Sequence, residues 1–419
     1  MPLPPARLKS AQTALAVFFF TQGFVAITFI PRIPEIIEQI GVSFAVWGLI
    51  IGFAGIGSLL PLLVANRLVG RFGTRPIINL SSVFIVLSVM SLAWAPNGFV
   101  FFVFQTVMMF SMSFFNIAIN AQSVMLQKRV KQVIIGKFHA AWSIGAGASA
   151  ALSGIMASFV SLQIHLLVVP LVCLVVFQVY VRSMLSPDED GHKEERQASR
   201  KVPFFKSPNQ LWLLALGLFT GVFLELVMMD WSALFSQQVM LLSPTLGAVP
   251  FASFMLAMIG GRLLITRATE KYHISELSKW GGIYGSIMMA IGLVVAPPIV
   301  EHDPILALVV LSLFWALGGF GLAPLVPSFF GAAGHVTGLT TSQALARMSL
   351  LNSLAVIGAK VVMGGLAESV GLQIAFVLPI VLMFIAGILS GRLARQAKRK
   401  EAVENAFPIT GSLTVIDEL

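Results

Sequence analysis

The sequence is short of the residues that build most catalytic and metal sites. It contains one cysteine, Cys173, and six scattered histidines among 419 residues. A disulfide framework is therefore excluded, and no histidine or cysteine pair has the spacing of a metal site. The sequence has no nucleophile–base set and no phosphate-binding loop. We therefore expect neither an enzyme nor a protein that holds a metal or a cofactor.

Charged residues are the second shortage. They make up only 11% of the chain, whereas soluble domains have about 25%. Hydrophobic residues make up 57%, and the mean hydropathy is +0.90. They gather into long apolar runs, and a membrane-spanning helix needs roughly 20 such residues to cross about 30 Å of hydrocarbon. The composition excludes an ordinary soluble domain and predicts a protein that crosses the membrane many times.

Roughly twelve apolar runs can be counted, and we predict that all of them are helices. The bilayer offers no water to backbone groups, and the alternating strands of a membrane barrel are absent from the sequence. The predicted fold class is an all-α membrane protein with twelve transmembrane helices in two six-helix, pseudo-symmetric halves. The predicted spans are 12–31, 46–65, 76–95, 99–126, 138–160, 164–181, 209–229, 243–261, 280–298, 304–326, 341–368 and 371–391.

Sequence repeats support the division into halves. Leu162-Gln163-Ile164 begins the sixth predicted span and Leu372-Gln373-Ile374 begins the twelfth, as expected for parallel repeats. The most charged stretch of the chain lies between the halves and predicts a solvated linker. The predicted units are an N-terminal half at 1–182, a cytoplasmic linker at 183–208, a C-terminal half at 209–395 and a cytoplasmic tail at 396–419.

The positions of the cations predict the orientation. All of the 27 Lys and Arg residues except Arg32, Arg347 and Lys360 lie at the termini or in every second gap between apolar runs. Such cations stay on the cytoplasmic side during insertion. We therefore predict a multi-pass protein of the cell (inner, cytoplasmic) membrane with both termini in the cytoplasm. The net charge of +9 then belongs to loops that face anionic lipid headgroups, and no nucleic-acid partner is expected.

The gap after the second span carries a recognisable motif. It reads Asn66-Arg67-Leu68-Val69-Gly70-Arg71-Phe72-Gly73-Thr74-Arg75. This resembles the Gly-x-Leu-x-Asp-Arg-x-Gly-Arg-Arg/Lys loop of the major facilitator superfamily, with Gly70 at the place of the acid. The resemblance implies two halves that rock about a central cavity. Further strings resemble a poorly characterised bacterial branch of the superfamily: Arg32-Ile33-Pro34-Glu35-Ile36, Asn120-Ala121-Gln122, Phe138-His139-Ala140-Ala141-Trp142-Ser143 and Asp230-Trp231-Ser232-Ala233.

The chain departs from the pattern of those relatives at positions that bear on energy coupling. The acids that the resemblance leads us to expect near positions 116 and 127 are Asn116 and Gln127 here. The glycine-proline motif found in the fifth span of drug antiporters is also absent from the sequence. Proton coupling, facilitated diffusion and exchange all stay open at this point, together with the substrate and the direction of transport.

Ionisable side chains inside spans are the first site candidates, because a central charge costs roughly 2.5–3.5 kcal/mol in the membrane. Glu225 in the seventh span is expected either to serve substrate binding or coupling, or to be a protonated carboxyl bound by a neighbouring helix. Residue counting places Lys360 of the eleventh span at about the same depth. We therefore predict a Glu225–Lys360 ion pair, with Lys360 snorkelling to the headgroups as the alternative. Asp230, near the outer boundary, is either functional or an interfacial cap.

A second set of candidates lies nearer the cytoplasmic ends of the spans. Asn116 and Asn120 are four residues apart and share one face of the fourth span. His139 and Trp142 open the fifth span, and Arg347 lies in the inner part of the eleventh. This set is expected to form a polar inner layer, in which Arg347 would favour an anionic group of the substrate, or else the hydrogen-bond network of an inner gate.

The resemblance adds two weaker candidates, because spans one, four, seven and ten line the cavity in that superfamily. They are Gln22 in the first span and Trp315 in the tenth. The string Gly318-Gly319-Phe320-Gly321, followed by Pro324, would let the tenth span bend, with close helix packing as the simpler alternative.

These features together predict a secondary active or facilitative transporter that moves a small organic solute by alternating access through a central cavity. The alternative is a membrane-embedded solute sensor or binding module on a transporter fold. The expected partners are a small-molecule substrate and the lipid bilayer, with a proton left open as a second transported species. The chain is expected to act as a monomer.

Overall fold

A computed structural model describes residues 4–130, 134–190, 208–333, 336 and 341–406. Within these ranges every regular element is a helix. The predicted linker is therefore described only as far as residue 190, and the predicted tail only as far as residue 406. Residues 191–207 and 407–419, which make up the rest of these two predicted segments, lie outside the described residues.

The first half has six spans, two of which are interrupted by 3-10 turns. Span one turns at Ile30–Arg32, where Pro31 lacks the amide that an α-helix would use. Span two turns at Gly55–Ser58, shortly before Pro61. The helices are Pro5–Ile27 and Ile33–Ile40 in span one, Phe44–Ala54 and Leu60–Phe72 in span two, Thr74–Leu92 in span three, Gly98–Val130 in span four, Ile135–Met156 in span five and Leu162–Tyr180 in span six.

The second half repeats this arrangement. Span ten is interrupted between Leu322 and Leu325, where Pro324 cannot continue the hydrogen-bond ladder. The glycines before it serve close packing, since a Cβ at Gly319 would come 2.2 Å from the carbonyl oxygen of Phe254 in span eight. The helices are Asn209–Gln238 in span seven, Pro244–Gly247 and Val249–Ala268 in span eight, Ile274–Val300 in span nine, Pro304–Leu322 and Leu325–Ala333 in span ten, Thr341–Val370 in span eleven, and Leu372–Ala375 and Val377–Ala406 in span twelve.

Several helices extend beyond their apolar runs. Span seven ends at Gln238 rather than near residue 229, and span eight continues to Ala268 rather than ending at residue 261. Hydropathy reports the thickness of the hydrocarbon layer, whereas helical hydrogen bonds continue into the interfacial regions. As a consequence, Asp230 and Arg262 both lie inside helices.

Span five differs from the other spans in composition. Among the described residues, eleven helical segments have the length and hydropathy of membrane spans, and span five is not one of them. Its 22 residues would reach about 33 Å, but many of them are glycine, alanine or serine. These small residues allow close packing, since a Cβ at Gly145 would lie 2.1 Å from the carbonyl oxygen of Phe20 in span one. The prediction of twelve helices in two halves is confirmed.

Each half contains an aromatic cluster at equivalent spans. In the first half Phe18, Phe115 and Phe177 join spans one, four and six, with ring centroids 4.9–6.2 Å apart. In the second half the cluster joins spans seven, ten and twelve, with centroids 5.1–5.6 Å apart, through Phe235, Trp315 and Phe376. The two sets of spans correspond under a six-plus-six repeat, so the two cores are pseudo-symmetric.

The halves meet at the end of the molecule that is opposite the chain termini, called here the outer end. Span two crosses span eleven, and span five crosses span eight. Added Cβ atoms would collide in both crossings: at Gly52 one would lie 2.9 Å from the carbonyl oxygen of Ile357, and at Gly154 one would lie 2.6 Å from the Cβ of Ala248. Small residues thus bring the halves into close contact at the outer end.

Candidate functional site

A cavity of about 350 Å³ lies between the two halves. Its wall comes from spans one, two, four, five, seven and eleven, and most of the lining side chains are apolar. This volume is at the lower end of the range for small-molecule pockets. The polar lining residues are Ser58, Gln105, Asn116, Trp142, Asp230, Asn352, Ser353 and Lys360.

Two of these side chains form an ion pair at the cavity wall. Nζ of Lys360 in span eleven lies 2.7 Å from Oδ2 of Asp230 in span seven. The side chains are 17% and 12% exposed. Oδ2 has no hydrogen-bond partner of good geometry, so the two charges are close without being well aligned. Asp230 thus lies at the cavity wall, where it contacts a cation.

The predicted Glu225–Lys360 pair is wrong. Glu225 instead accepts a hydrogen bond from Nη2 of Arg262 in span eight, at 3.1 Å. The alternative, in which Lys360 snorkels to the headgroups, also differs from the structure, because its ammonium contacts a carboxylate at the cavity wall. Asp230 lies about 7.5 Å further along span seven than Glu225, a distance that the long lysine side chain can cover. Counting residues along each helix gave the depth of Lys360 in the membrane, but it could not tell whether the lysine reaches Glu225 or Asp230.

Sequence reasoning missed Arg262 because the predicted eighth span ended one residue before it. The side chain of Arg262 is 34% exposed, and that of Glu225 is 18% exposed. Arg262 also interacts electrostatically with His139 of span five, in the opposite half. His139 itself is exposed and packs edge-on against the ring of Phe19, with the centroids 5.4 Å apart. Glu225 and Arg262 thus form an ion pair within the second half, and the charge of Arg262 acts on His139 across the boundary between the halves.

The asparagines of span four lie toward the C-terminal end of that helix, on the terminus side of the cavity. Asn116 is exposed and lines the cavity. Nδ2 of Asn120 donates to the backbone carbonyl of Asn116 at 2.8 Å. Trp142 of span five lines the same cavity, and its backbone carbonyl lies so close to span one that a Cβ at Gly23 would come within 2.3 Å of it. Asn116 and Trp142 are thus brought together with Asp230 and Lys360.

Three other candidates lie outside the cavity wall. Gln22 is buried, and its Nε2 donates to Sδ of Met112, a lining residue, at 3.2 Å. Trp315 is fully buried in the aromatic cluster of the second half. Arg347 is 5% exposed and interacts with other residues of the chain. Gln22 thus positions a wall residue, whereas Trp315 belongs to the core.

A buried network at the outer end of the first half was not predicted. Arg32 is 1% exposed and donates to both carboxylate oxygens of Glu35. Its Nη1 lies 3.2 Å from Nδ1 of His165 in span six, whose Nε2 lies 3.0 Å from Oγ1 of Thr28. The signal was present in Arg32, which is the one cation in an outer gap of the sequence. The network ties the outer end of span one to span six.

The first residues of the predicted linker are packed against the spans instead of being solvated. Asp190 is fully buried, and its Oδ2 accepts hydrogen bonds from the backbone amide and the hydroxyl of Thr74 at 2.7 and 2.8 Å. Nε2 of Gln122 also donates to the Thr74 hydroxyl, at 2.6 Å. An acid at the start of a helix is favourable because of the helix dipole. Asp190 thus supplies a carboxylate to the loop in which Gly70 replaces the expected acid.

A second linker acid holds the N-terminus in place. Arg7 donates to both carboxylate oxygens of Glu189, at 3.1 and 2.6 Å, and to the backbone carbonyls of Ser183 and Met184. These hydrogen bonds from Arg7 lower the pKa of Glu189 to about 2. Partial burial opposes this shift, and the hydrogen bond from the amide of Ser186 adds to it. The contact joins the start of span one to the end of span six.

Comparison with known proteins gives a consistent result. Residues 14–342 match the sequence model of the Major Facilitator Superfamily. An uncharacterised MFS-type transporter of Yersinia pestis is 26% identical over 373 residues, which cover 88% of this chain and 91% of the relative. The match spans both halves, so it is not limited to one repeat.

Solved structures have the same fold at low sequence identity. An inward-facing bacterial homologue of the human lysosomal transporter Spinster is 13% identical with a TM-score of 0.72, covering 94% of this chain and 98% of its own. A D-xylose–proton symporter is 12% identical with a TM-score of 0.71, covering 91% and 97%. Since the family model covers most of the sequence and the helices form two six-helix halves around a cavity, this chain belongs to the major facilitator superfamily of membrane transporters.

Proposed function

We propose that this transporter carries its solute across the cytoplasmic membrane through the cavity between its halves, with both termini in the cytoplasm. The observation that carries the proposal is the position of the cavity relative to the contacts between halves. Spans two and eleven, and five and eight, close the outer end, while Asn116 and His139 on the terminus side are exposed. With the termini in the cytoplasm, this arrangement corresponds to an inward-facing state.

In this proposal the solute contacts the polar groups of the cavity wall. Asp230 and Lys360 supply charge, and Asn116 and Trp142 supply hydrogen bonding and a flat apolar surface. Gln22 acts indirectly, by positioning Met112. Asn120, Glu225, Arg262 and His139 act on the terminus side, where the halves must approach each other when the inner end closes. Arg347 supports this inner region from within the second half.

Closure of the inner end would bring Arg262 of span eight closer to span five. His139 lies on that span and already interacts with Arg262. In this proposal the Glu225–Arg262 pair lies between the cavity and the inner exit. Its rearrangement during closure is the step at which binding or release of a proton by Glu225 would be coupled to transport. We propose that one chain suffices for transport, because the cavity is formed within a single six-plus-six bundle.

The test uses purified protein in proteoliposomes. The vesicles are incubated with a mixture of sugars, nucleosides, organic acids and amino acids, and entrapped solutes are quantified by mass spectrometry. We expect at least one solute to enter protein-containing vesicles but not protein-free vesicles, and the labelled solute to show counterflow. A solute that stabilises the protein without entering or exchanging would contradict transport and indicate a sensor.

The same assay addresses the energy source and the role of Glu225. Uptake is measured with and without a pH gradient, for wild type and for Glu225→Gln. If Glu225 carries a proton, a gradient drives accumulation in wild type and not in the variant. Uptake that ignores the gradient in both proteins identifies facilitated diffusion or exchange.

A further inference from the structure

The charged groups at the cavity wall are limited to one acid and one base. Asp230 and Lys360 are the only ionisable side chains among the described residues that line the cavity. They contact each other at 2.7 Å, so the cavity has two opposite charges and a net charge of zero. A ligand that fits such a wall must compensate both charges or neither.

The pair is held loosely enough to accept a ligand. Both side chains have exposed surface at the cavity, 12% for Asp230 and 17% for Lys360. Oδ2 of Asp230 lies within ion-pair distance of Lys360 but has no hydrogen bond of good geometry. Each charged group can therefore form a better-directed, charge-assisted hydrogen bond with a ligand than it forms with its present partner.

Ligands with a single charge are disfavoured by this arrangement. An anion bound to Lys360 would leave Asp230 without its counter-charge, and a cation bound to Asp230 would do the same to Lys360. Leaving one member of a buried pair uncompensated is strongly unfavourable, and partial exposure lowers that cost without removing it. A zwitterion compensates both groups at once.

Two residues of the cavity wall contain a buried side-chain oxygen that accepts no hydrogen bond. Oε1 of Gln105 and Oδ1 of Asn352 are buried and have no hydrogen-bond partner, and both residues line the cavity. Gln105 is only 6% exposed. A buried acceptor without a donor is destabilising, and an ammonium group has three N–H donors. Rotation of either amide toward the cavity would let its oxygen accept a hydrogen bond from an amine on the ligand.

Most of the rest of the wall is apolar. The apolar lining includes Met108, Met109 and Met112 of span four and Val222, Leu226 and Met229 of span seven. Methionine side chains adapt to ligands of different shape. A cavity of about 350 Å³ limits the ligand to a small molecule. The wall thus accommodates an apolar side group attached to the charged centre.

We propose that the cavity takes a small zwitterionic solute with an apolar side group, whose ammonium binds Asp230 and whose carboxylate binds Lys360. This rests on the proposed function, because it assigns the transport cavity as the binding site. Splitting of the Asp230–Lys360 pair by the ligand then accompanies binding.

The ligand test uses matched sets of compounds and unmodified protein. Leucine is compared with 3-methylbutylamine, which lacks the carboxylate, and with 4-methylpentanoate, which lacks the amine. The same comparison is made for phenylalanine and methionine, and glucose and uridine serve as uncharged solutes. Binding is measured by calorimetry in detergent. We expect at least one zwitterion to bind about tenfold or more tightly than both of its singly charged analogues. Equal binding of an analogue, tighter binding of an uncharged solute, or no zwitterion binding overturns the proposal.

Variants test which charge binds which group. Asp230→Asn is expected to weaken zwitterion binding about tenfold and to shift the preference toward 4-methylpentanoate, whereas Lys360→Gln shifts it toward 3-methylbutylamine. The charge-swapped double variant Asp230→Lys/Lys360→Asp retains a pair if a single variant does not fold. Lys279→Gln, which alters a lysine stacked on Trp280 outside the cavity, is the control. Equal losses for all three ligand types would overturn the assignment of these groups.

The transport assay separates this inference from the proposed function. If proteoliposomes take up a solute that is not zwitterionic, transport is upheld and the zwitterion proposal fails. If a zwitterion binds with the expected pattern but neither enters nor exchanges, the ligand class is upheld and transport fails.

Discussion

Gly48 of span two and Gly364 of span eleven meet backbone to backbone where the two halves cross at the outer end. A Cβ placed on Gly48 would lie 2.7 Å from Cα of Gly364 and 2.7 Å from the carbonyl oxygen of Lys360. The atoms in the way belong to the backbone, so a side-chain rotation cannot make room. The crossing also fixes the segment of span eleven that holds Lys360. Closure of the outer end therefore depends on the absence of a side chain at position 48.

The first prediction follows from this crossing. Gly48→Val should prevent outer closure and reduce uptake into proteoliposomes by about tenfold or more, because the collision disfavours the inward-facing state. A cysteine replacing Ile51, in a Cys173→Ser background, should react faster with an impermeant maleimide added from the outer side. Gly365→Val is the matched control, since nothing lies within 4 Å of a Cβ at that position. Unchanged labelling and uptake in Gly48→Val would contradict this interpretation.

The second prediction concerns the pair between Glu225 and Arg262. Each single change, Glu225→Gln or Arg262→Gln, should lower the free energy of unfolding by about 1–2 kcal/mol, because the remaining charge loses its partner in a partly exposed site. The double variant should be less destabilised than the sum of the single variants, with a coupling of about 1 kcal/mol. Thermal unfolding in detergent measures this coupling. The losses of unfolding free energy caused by Glu225→Gln and Lys360→Gln should be additive in the double variant. A strong coupling between these two changes would support a Glu225–Lys360 pair and contradict the structure.

The third prediction separates two tryptophans that the sequence presents as similar. Trp315→Ala should lower the free energy of unfolding by about 3–5 kcal/mol, because it opens a hole in a fully buried aromatic cluster. Trp142→Ala, at the cavity wall, should reduce uptake with a much smaller loss of stability. Trp315→Phe is the control: it retains a ring and removes an indole N–H that has no partner. The expectation fails if both alanine variants lose stability equally.

The fourth prediction is a pH dependence at the packed start of the linker. The pKa of Glu189 is lowered to about 2 by hydrogen bonds from Arg7, below its ordinary value of 4.5. The ionised carboxylate therefore stabilises the folded protein above about pH 4.5, and this contribution disappears as the pH falls toward 2. Glu189→Gln should lower the melting temperature at pH 7, and the difference from wild type should close over that interval. Glu270→Gln, at an exposed acid, should show little difference at either pH.

The fold could be predicted from the sequence because the bilayer imposes a strong and simple pattern. Apolar runs marked the spans. Span five was predicted as well, although its many small residues make it less hydrophobic than the spans beside it. The ends were less predictable: Arg262 was assigned to a loop because hydropathy falls where the helix continues. The packing of Asp190 on Thr74 could not be foreseen either, because a charged linker has the same composition whether it is solvated or docked.

The site was predictable in its residue types but not in its pairs. Glu225, Asp230 and Lys360 stood out because ionisable groups are rare inside spans. Which of them touch depends on how each helix is rotated about its axis and on the reach of a lysine, and sequence spacing along separate helices contains neither. Trp315 illustrates the converse: the span was one that lines the cavity in the superfamily, yet this side chain faces the core of its own half.

The central claim is that the two halves alternate about the cavity, and a reversible cross-link at the outer end tests it most directly. The hydroxyls of Ser158, in the turn after span five, and Thr245, in the first turn of span eight, are in hydrogen-bond contact across the halves. In a Cys173→Ser background, the pair Ser158→Cys/Thr245→Cys should form a disulfide under oxidation. We predict that oxidation stops solute uptake into proteoliposomes, that reduction restores it, and that each single-cysteine variant transports under both conditions. Full uptake by the cross-linked protein would contradict alternating access through this cavity.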